Sequence, residues 1–237
     1  MARARSASTT SRANPSLPSH RPSHRRLTRR PLMSYAIIGS GAIGSALATQ
    51  FTRSKIKTVI SNRRGAASLE DAAQAFGTSV SAAETADALD AEVIILAIPF
   101  DSVGEVAKLR HDWSGKIVVD ATNAIEFPAF KPLDLGGRPS SQVVAAQFNG
   151  AKIVKAFNTL PAAVLTEEPR RSDGNRTIFV AGDHADANEQ IASLVTSLGF
   201  SPITLGKLAE GGLLQQFGGA LAIHSLIKQR QGKLPHA

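Results

Sequence analysis

Residues 35–48 read YAIIGSGAIGSALA, and this stretch decides the fold. The apolar run at 35–38 predicts a buried strand, and the alanine-rich run that begins at residue 42 predicts a helix. Between them lies a G-x-G-x-x-G turn formed by Gly39, Gly41 and Gly44. A strand, this spacing and a helix together are typical of a dinucleotide site. There the first glycine makes the turn, the second admits a pyrophosphate, and the third lets the helix pack against the sheet.

Outward from this turn, short apolar runs alternate with helical stretches. Between residues 56 and 119 we predict strands at 56–60, 79–80, 93–98 and 116–119, with helices at 67–76 and 102–109. This order predicts an α/β fold, a Rossmann doubly wound and mainly parallel sheet with helices on both faces. The strands are continuously apolar, which fits a sheet buried on both sides.

The second half of the chain is predicted to extend the same domain, residues 33–237. A loop rich in Pro and Gly covers residues 127–140, and residues 151–237 form a small C-terminal α/β extension on the substrate side. Within it we predict strands at 153–157, 177–180 and 202–205 and helices at 185–198 and 213–229. The exposed apolar end of the last of these helices would suit a homodimer.

The end of the second strand distinguishes the two nicotinamide cofactors. An NAD site places Asp or Glu there, about 20 residues after the glycine turn, to bind the ribose hydroxyls. This chain has Ser61, Asn62, Arg63 and Arg64 and no acid. Small polar donors beside a guanidinium suit a 2′-phosphate, so we predict NADP(H). The alternative, that the two arginines belong only to a solvated loop, stays open.

Three more strand ends are predicted to face the same crevice, because ligands bind at the carboxyl ends of parallel strands. Residues 97–99, Ala-Ile-Pro, would form an apolar wall for the nicotinamide ring. Asn123 would reach the nicotinamide ribose or amide, and Asn158 and Thr159 follow the sixth strand. A turn role for Asn123 and a helix-capping role for the other two are the alternatives.

The basic charge comes from one segment. The isoelectric point is about 10.2, but eight of the 27 Lys and Arg residues lie in 1–32, which leaves 19 basic and 19 acidic residues after it. We therefore expect no nucleic-acid partner for the folded domain. Residues 1–32 are rich in Arg, Ser and Pro and predict a disordered arm. It is interpreted as an over-extended start before Met33, a transit peptide, or a basic arm that contacts phosphates.

Several functional classes are excluded or disfavoured. The chain has no Cys, so it has no disulfide framework, thiolate metal site or Cys nucleophile. We find no metal-ligand spacing and no serine nucleophile elbow, and predict neither a metal site nor a catalytic side chain. The longest apolar run, 93–100, is far short of the about 20 residues that span a bilayer. We expect a cytoplasmic protein without a membrane partner.

These motifs resemble the coenzyme F420-dependent NADP oxidoreductase family, seen also in the reductase domain of the STEAP ferric reductases. The resemblance covers roughly residues 34–214 and rests on GSGAIG, SNRR, AIP, KIVVDATN and IVKAFNTLPA. It implies an enzyme that binds NADP(H) through residues 40–43, with Asn62 and Arg63 on the 2′-phosphate and Ile98, Asn123 and Ala162 bordering the cofactor. The candidate cofactor-binding residues are thus Gly39, Ser40, Gly41, Ala42, Ile43, Gly44, Ser61, Asn62, Arg63, Arg64, Ala97, Ile98, Pro99, Asn123, Asn158, Thr159 and Ala162.

The resemblance also implies a reaction. The family transfers a hydride between the nicotinamide and a deazaflavin, coenzyme F420, without a side-chain acid or base, since the cofactors carry the chemistry. Archaeal members have an imidazole where Asn158 stands here, so the small-molecule electron acceptor stays open between a deazaflavin, a flavin and a ferric chelate. The alternatives are an NADP-linked dehydrogenase or reductase of another small substrate, and a non-enzymatic NADP(H) sensor.

Overall fold

The computed structural model describes Met1 and residues 33–229. The arm predicted at 1–32 therefore lies outside the described residues, apart from Met1. The elements, in chain order, are β1 (Tyr35–Ile38), α1 (Ala42–Arg53), β2 (Thr58–Ser61), α2 (Glu70–Phe76), β3 (Val80–Ala82), α3 (Thr85–Ala88), β4 (Val93–Leu96), α4 (Val103–Ala107), β5 (Ile117–Asp120), β6 (Ile125–Glu126), β7 (Lys131–Pro132), α5 (Ser140–Ala145), β8 (Lys152–Ala156), α6 (Ala162–Thr166), β9 (Gly174–Gly182), α7 (Ala185–Ser197), β10 (Ser201–Thr204), α8 (Leu213–Gln215) and β11 (Ile227–Gln229).

One sheet organises the described chain. Its strand order is β10-β9-β8-β5-β4-β1-β2-β3, and β11 pairs with β9. From β3 across to β8 every neighbouring pair is parallel. The chain order reverses between β1 and β4, which is the switch point where such sheets bind ligands. The predicted doubly wound Rossmann fold is confirmed.

Both faces of the sheet are covered, as the continuously apolar strands predict. On β1, Ile37 belongs to the core cluster that contains Phe51 of α1. Its neighbours Ala36 and Ile38 belong to the cluster on the other face, around Trp113. Successive side chains of a strand point to opposite faces, so an apolar strand of this kind needs helices on both.

The C-terminal part continues the same sheet, with two differences from the prediction. Strand β9 runs antiparallel to β8, and β10 runs parallel to β9. The helix predicted at 213–229 is wrong: α8 has three residues, turns follow, and β11 pairs antiparallel with β9. Gly218 and Ile223 have φ values of 84° and 58°, which a right-handed helix excludes. The homodimer was predicted from the exposed apolar end of this helix. It stays a prediction, but the helix end that suggested it is absent from the described residues.

Two smaller elements were not predicted. In the short hairpin of β6 and β7, β6 ends just before the segment interpreted as a loop and β7 lies within it, and Phe130 between the strands has a φ of 49°. Helix α3 follows β3 and has only four residues. In residues 33–229, no helix has the length and apolar character needed to cross a membrane.

Candidate functional site

The three glycines of the turn are required for three different reasons. Gly39 has a φ of 111°, and a Cβ there would lie 2.2 Å from the carbonyl oxygen of Ala97. A Cβ on Gly44 would lie 1.9 Å from the carbonyl oxygen of Gly39, so helix α1 could not pack against the turn. A Cβ on Gly41 would meet nothing within 4 Å, and the space over this glycine is therefore open to a ligand.

The start of helix α1 is suited to an anion. Its N-cap residue, Gly41, makes no side-chain cap, and its first turn holds no acidic residue. The first N–H groups of a helix have no partner inside it, and the positive end of the helix dipole favours negative charge. The open end of this twelve-residue helix could therefore hold a pyrophosphate.

A crevice of about 610 Å³ opens at the carboxyl ends of β1, β2, β3 and β4. Eight of the predicted site residues line it: Gly39, Ser40, Gly41, Asn62, Arg63, Ala97, Ile98 and Pro99. Nine do not: Ala42, Ile43, Gly44, Ser61, Arg64, Asn123, Asn158, Thr159 and Ala162. Gly44 and Ser61 are buried behind the crevice wall, and each supports the turn from there.

The loop after β2 is ordered by one side chain, Asn62. Its Nδ2 donates to Ser40 Oγ at 3.0 Å, and its Oδ1 accepts from the backbone N–H of Arg64 at 2.8 Å and from Ser68 Oγ at 3.2 Å. These contacts join the loop to the glycine turn. Arg63 and Arg64 are exposed and form no ion pair within residues 33–229. The guanidinium of Arg63 remains available to a phosphate.

Sequence reasoning missed one wall of the crevice. Glu84, Thr85 and Ala86 line it. The Glu84 carboxylate accepts a hydrogen bond of 2.8 Å from the backbone N–H of Ala66 and so braces the loop that carries the arginines. These residues follow β3, and the carboxyl ends of parallel strands share one edge of the sheet, which was the signal available in the sequence. The helix α4 side, also missed, contributes Ser102, Glu105, Val106 and Leu109.

The predicted nicotinamide side is a separate group of amides. Asn123 Nδ2 donates to the carbonyl oxygen of Asn158 at 2.9 Å, and Asn158 Nδ2 donates back to Asn123 Oδ1 at 3.0 Å. Asn158 Nδ2 also reaches the carbonyl oxygen of Gln215 at 2.6 Å. Thr159 is buried, and Ala162 begins α6. The loops after β5 and β8 are therefore held together as one unit.

Beneath these amides lies a buried ion pair. Lys155 Nζ is 3.0 Å from Asp120 Oδ2, and both side chains are completely buried. Asp120 also accepts hydrogen bonds of 2.6 Å from Ser141 Oγ and Thr122 Oγ1. Burial alone would raise the pKa of the Asp120 carboxyl, but the Lys155 ammonium and these hydrogen bonds outweigh it, so the pKa lies below its ordinary value.

The ion pair predicts a pH-dependent stability. Asp120→Asn is expected to cost about 3–5 kcal/mol at pH 7, because Lys155 is left buried and uncompensated. The folded pKa of Asp120 is below the ordinary 3.8, so its contribution is complete above that value and is lost as the pH falls through the folded pKa. Urea unfolding from pH 7 to pH 3 measures this. The difference in the free energy of unfolding between wild type and variant should become smaller below about pH 4. A difference that stays constant would contradict the lowered pKa of Asp120.

A second cavity, of about 330 Å³, adjoins the loop that carries Asn123. Its apolar walls come from residues in or next to the hairpin and α8, among them Ala124, Leu133, Leu213 and Phe217. Arg138 is its one cation among the described residues, and Asp134, Ser140 and Gln216 add polar groups. Within residues 33–229, no group of three or more His, Asp or Glu residues could hold a metal ion.

Comparison with known proteins relates the first part of the folded chain to one family. The model of the family described as NADP oxidoreductase, coenzyme F420-dependent, matches residues 34–124. The structure of a hypothetical protein from Sinorhizobium meliloti is 55% identical, covering 83% of this chain and 96% of that one, with a TM-score of 0.81. A candidate F420-dependent NADP reductase from Arthrobacter sp. FB24 is 26% identical, covering 74% and 86%, with a TM-score of 0.62.

The curated relatives are longer proteins that this chain matches over part of their length. Metalloreductase STEAP3 from Rattus norvegicus is 29% identical over 174 residues, which is 73% of this chain and 34% of the relative. The chain thus spans about a third of the length of the curated relatives it matches.

Proposed function

We propose that this chain, whose residues 34–124 match the model of the coenzyme F420-dependent NADP oxidoreductase family, transfers a hydride between NADP(H) and a deazaflavin or flavin-like acceptor. The observation that carries the proposal is the crevice at the switch point. There the open glycine turn at the start of α1 and Arg63, whose guanidinium has no ion-pair partner within residues 33–229, line the same crevice. Bound NADPH would supply the hydride from its nicotinamide ring.

The protein's own residues bind and orient. The turn at Gly39–Gly41 and the N-terminus of α1 would hold the pyrophosphate, and Arg63 with the loop ordered by Asn62 would hold the 2′-phosphate. Ile98 and Pro99 supply an apolar wall that keeps water away from the ring. The hydride would pass directly between the two positioned rings, and the acceptor would take its accompanying proton from water, so no side chain is required as an acid or base.

The second cavity supports a planar acceptor. Its walls are mainly apolar, and Phe217 packs edge-to-face against Phe130, with ring centroids 5.2 Å apart. Sites for heteroaromatic ligands have this character, with a few polar groups for orientation. Arg138 suits an anionic tail such as a phosphate. The similarity to a metalloreductase makes a ferric chelate the second candidate acceptor.

We keep the cytoplasm as the proposed location of the protein.

The test is spectrophotometric. The full chain is mixed with NADPH or NADH, and oxidation is followed with the deazaflavin coenzyme, FMN, FAD and a ferric chelate in parallel. Turnover with NADPH and a deazaflavin or flavin is the expected result. Turnover with the ferric chelate alone would replace the acceptor proposed here, and saturable NADPH binding without any turnover would favour a sensor.

The acceptor cavity gives a separate prediction. Phe217→Ala is expected to raise the KM for the acceptor about tenfold, since it removes an apolar contact of roughly 1.4 kcal/mol, and to leave the Kd for NADPH unchanged. Leu226→Ala is the matched control, because Leu226 is exposed and lies outside both cavities. Steady-state kinetics measures the effect. An equal rise of the acceptor KM in both variants would contradict the assignment of the acceptor to this cavity.

A further inference from the structure

We propose that the buried ion pair of Asp120 and Lys155 positions the nicotinamide end of the site, by fixing the backbone from which Asn123 and Asn158 project. Neither residue of the pair lines either cavity, so both act through other residues. The inference rests on the proposed function, because it takes Asn123 and Asn158 to border the nicotinamide.

The pair is placed symmetrically beneath the two asparagines. Asp120 and Lys155 are direct cross-strand partners in the parallel pairing of β5 with β8. Each lies three residues before one of the asparagines, Asn123 after β5 and Asn158 after β8. One ion pair therefore joins the bases of both loops.

Its hydrogen bonds converge on the residue next to Asn123. Lys155 Nζ donates to the carbonyl oxygen of Thr122 at 3.1 Å. Asp120 Oδ1 accepts from the Thr122 N–H at 3.0 Å and from its hydroxyl at 2.6 Å. The N–H, the carbonyl and the side chain of Thr122 are thus all bound to the pair, which leaves the start of this loop little freedom.

The loop after β8 is equally constrained. Phe157, between Lys155 and Asn158, is buried and has a φ of 65°. This left-handed conformation costs a non-glycine residue about 1–3 kcal/mol and persists only where its surroundings hold it. The reciprocal hydrogen bonds of Asn123 and Asn158 then close the two loops into one unit.

Stability alone does not account for the pair. The same face of its two strands carries the apolar residues Val118 and Ile153, and apolar residues in place of a buried ion pair are often as stabilising or more so. Apolar side chains could not bind the N–H and carbonyl of Thr122. What the charges add is the fixed position of the loop.

Polar atoms of Asn158 and of its hydrogen-bond partner Gln215 remain unpaired among the described residues. Asn158 Oδ1 and both amide atoms of Gln215 are buried and have no hydrogen-bond partner among the described residues. Buried polar atoms without partners are rare, and a bound polar group is one of the few explanations for them. A carboxamide has the matching donor and acceptor.

The test compares two ligands of the full chain, NADPH and 2′,5′-ADP, which lacks the nicotinamide. In the double variant Asp120→Leu/Lys155→Met, which removes both charges together, we expect NADPH to bind about 3- to 10-fold more weakly and 2′,5′-ADP to bind as in wild type. Where the wild type turns over, kcat should fall about 10- to 100-fold, because the ring is misplaced. The readout is the ratio of the NADPH affinity to the 2′,5′-ADP affinity. Thr122→Val, which removes one hydrogen bond to Asp120, should lower this ratio less than the double variant does.

The control is a charged, buried residue whose side-chain hydrogen bonds involve none of Thr122, Asn123 and Asn158. Arg176 of β9 is buried and binds Glu167, so Arg176→Met should lower stability without changing the affinity ratio of the two ligands. A wild-type ratio in both the double variant and Thr122→Val would overturn the proposal. The ratio needs no turnover, so it can be measured even if every acceptor fails, an outcome that would count against the proposed function alone.

Discussion

Replacing Gly44 with alanine is expected to destabilise the domain by about 3 kcal/mol or more, because the new Cβ would lie 1.9 Å from the carbonyl oxygen of Gly39. That atom belongs to the backbone of the turn, so relief requires α1 to move away from the sheet. For a domain of this size the loss corresponds to a fall in Tm of roughly 6–12 °C. Thermal unfolding without any cofactor measures it.

Gly41 is the matched control in the same turn. A Cβ there meets no protein atom within 4 Å, and the φ of −74° suits any residue. Gly41→Ala should therefore unfold with the wild-type Tm but bind NADPH more weakly, since the methyl group occupies space open to the pyrophosphate. A stable Gly44→Ala protein, or a Gly41→Ala protein with unchanged NADPH affinity, would contradict the roles given to these glycines.

Replacing Arg63 with alanine is expected to weaken NADPH binding about 10- to 100-fold and to change NADH binding by less than about threefold. A charge-assisted hydrogen bond contributes roughly 1.5–3 kcal/mol, and only NADPH carries the 2′-phosphate that would receive it. The Glu84 carboxylate in the same crevice adds to the loss, since its repulsion of a phosphate would no longer be offset. Calorimetric titration with both cofactors measures the two affinities.

Arg64 provides the control for charge alone. It is adjacent and exposed but does not line the crevice, so Arg64→Ala should have a much smaller effect on NADPH. Equal losses of NADPH and NADH affinity in Arg63→Ala would contradict the assignment of the 2′-phosphate to this loop.

The central sheet could be predicted because its strands are continuously apolar and its first turn has glycines at fixed spacing. What could not be predicted has physical reasons. An apolar run does not reveal strand direction, so the antiparallel pairing of β9 was not visible. Helix α3 is too short for helical periodicity, and the helix predicted at 213–229 ignored Gly218 and Gly219 in its middle. The glycines mattered more than the apolar pattern there.

The candidate site also has a part that the sequence predicts and a part that it does not. Residues next to the glycine turn and β2 were predicted because local motifs carry them. Glu84 and the ion pair of Asp120 and Lys155 were missed, because their contacts link strands far apart in sequence. A Lys and an Asp at the ends of apolar strands were the only signal, and sequence alone does not place them opposite each other.

The most direct test of the central claim is a calorimetric titration of the unmodified full chain with NADPH and with NADH. We predict one saturable site that binds NADPH about 10- to 100-fold more tightly than NADH, as a guanidinium on the 2′-phosphate requires. Equal affinities, or no saturable binding of NADPH, would contradict the assignment of the crevice to NADP(H).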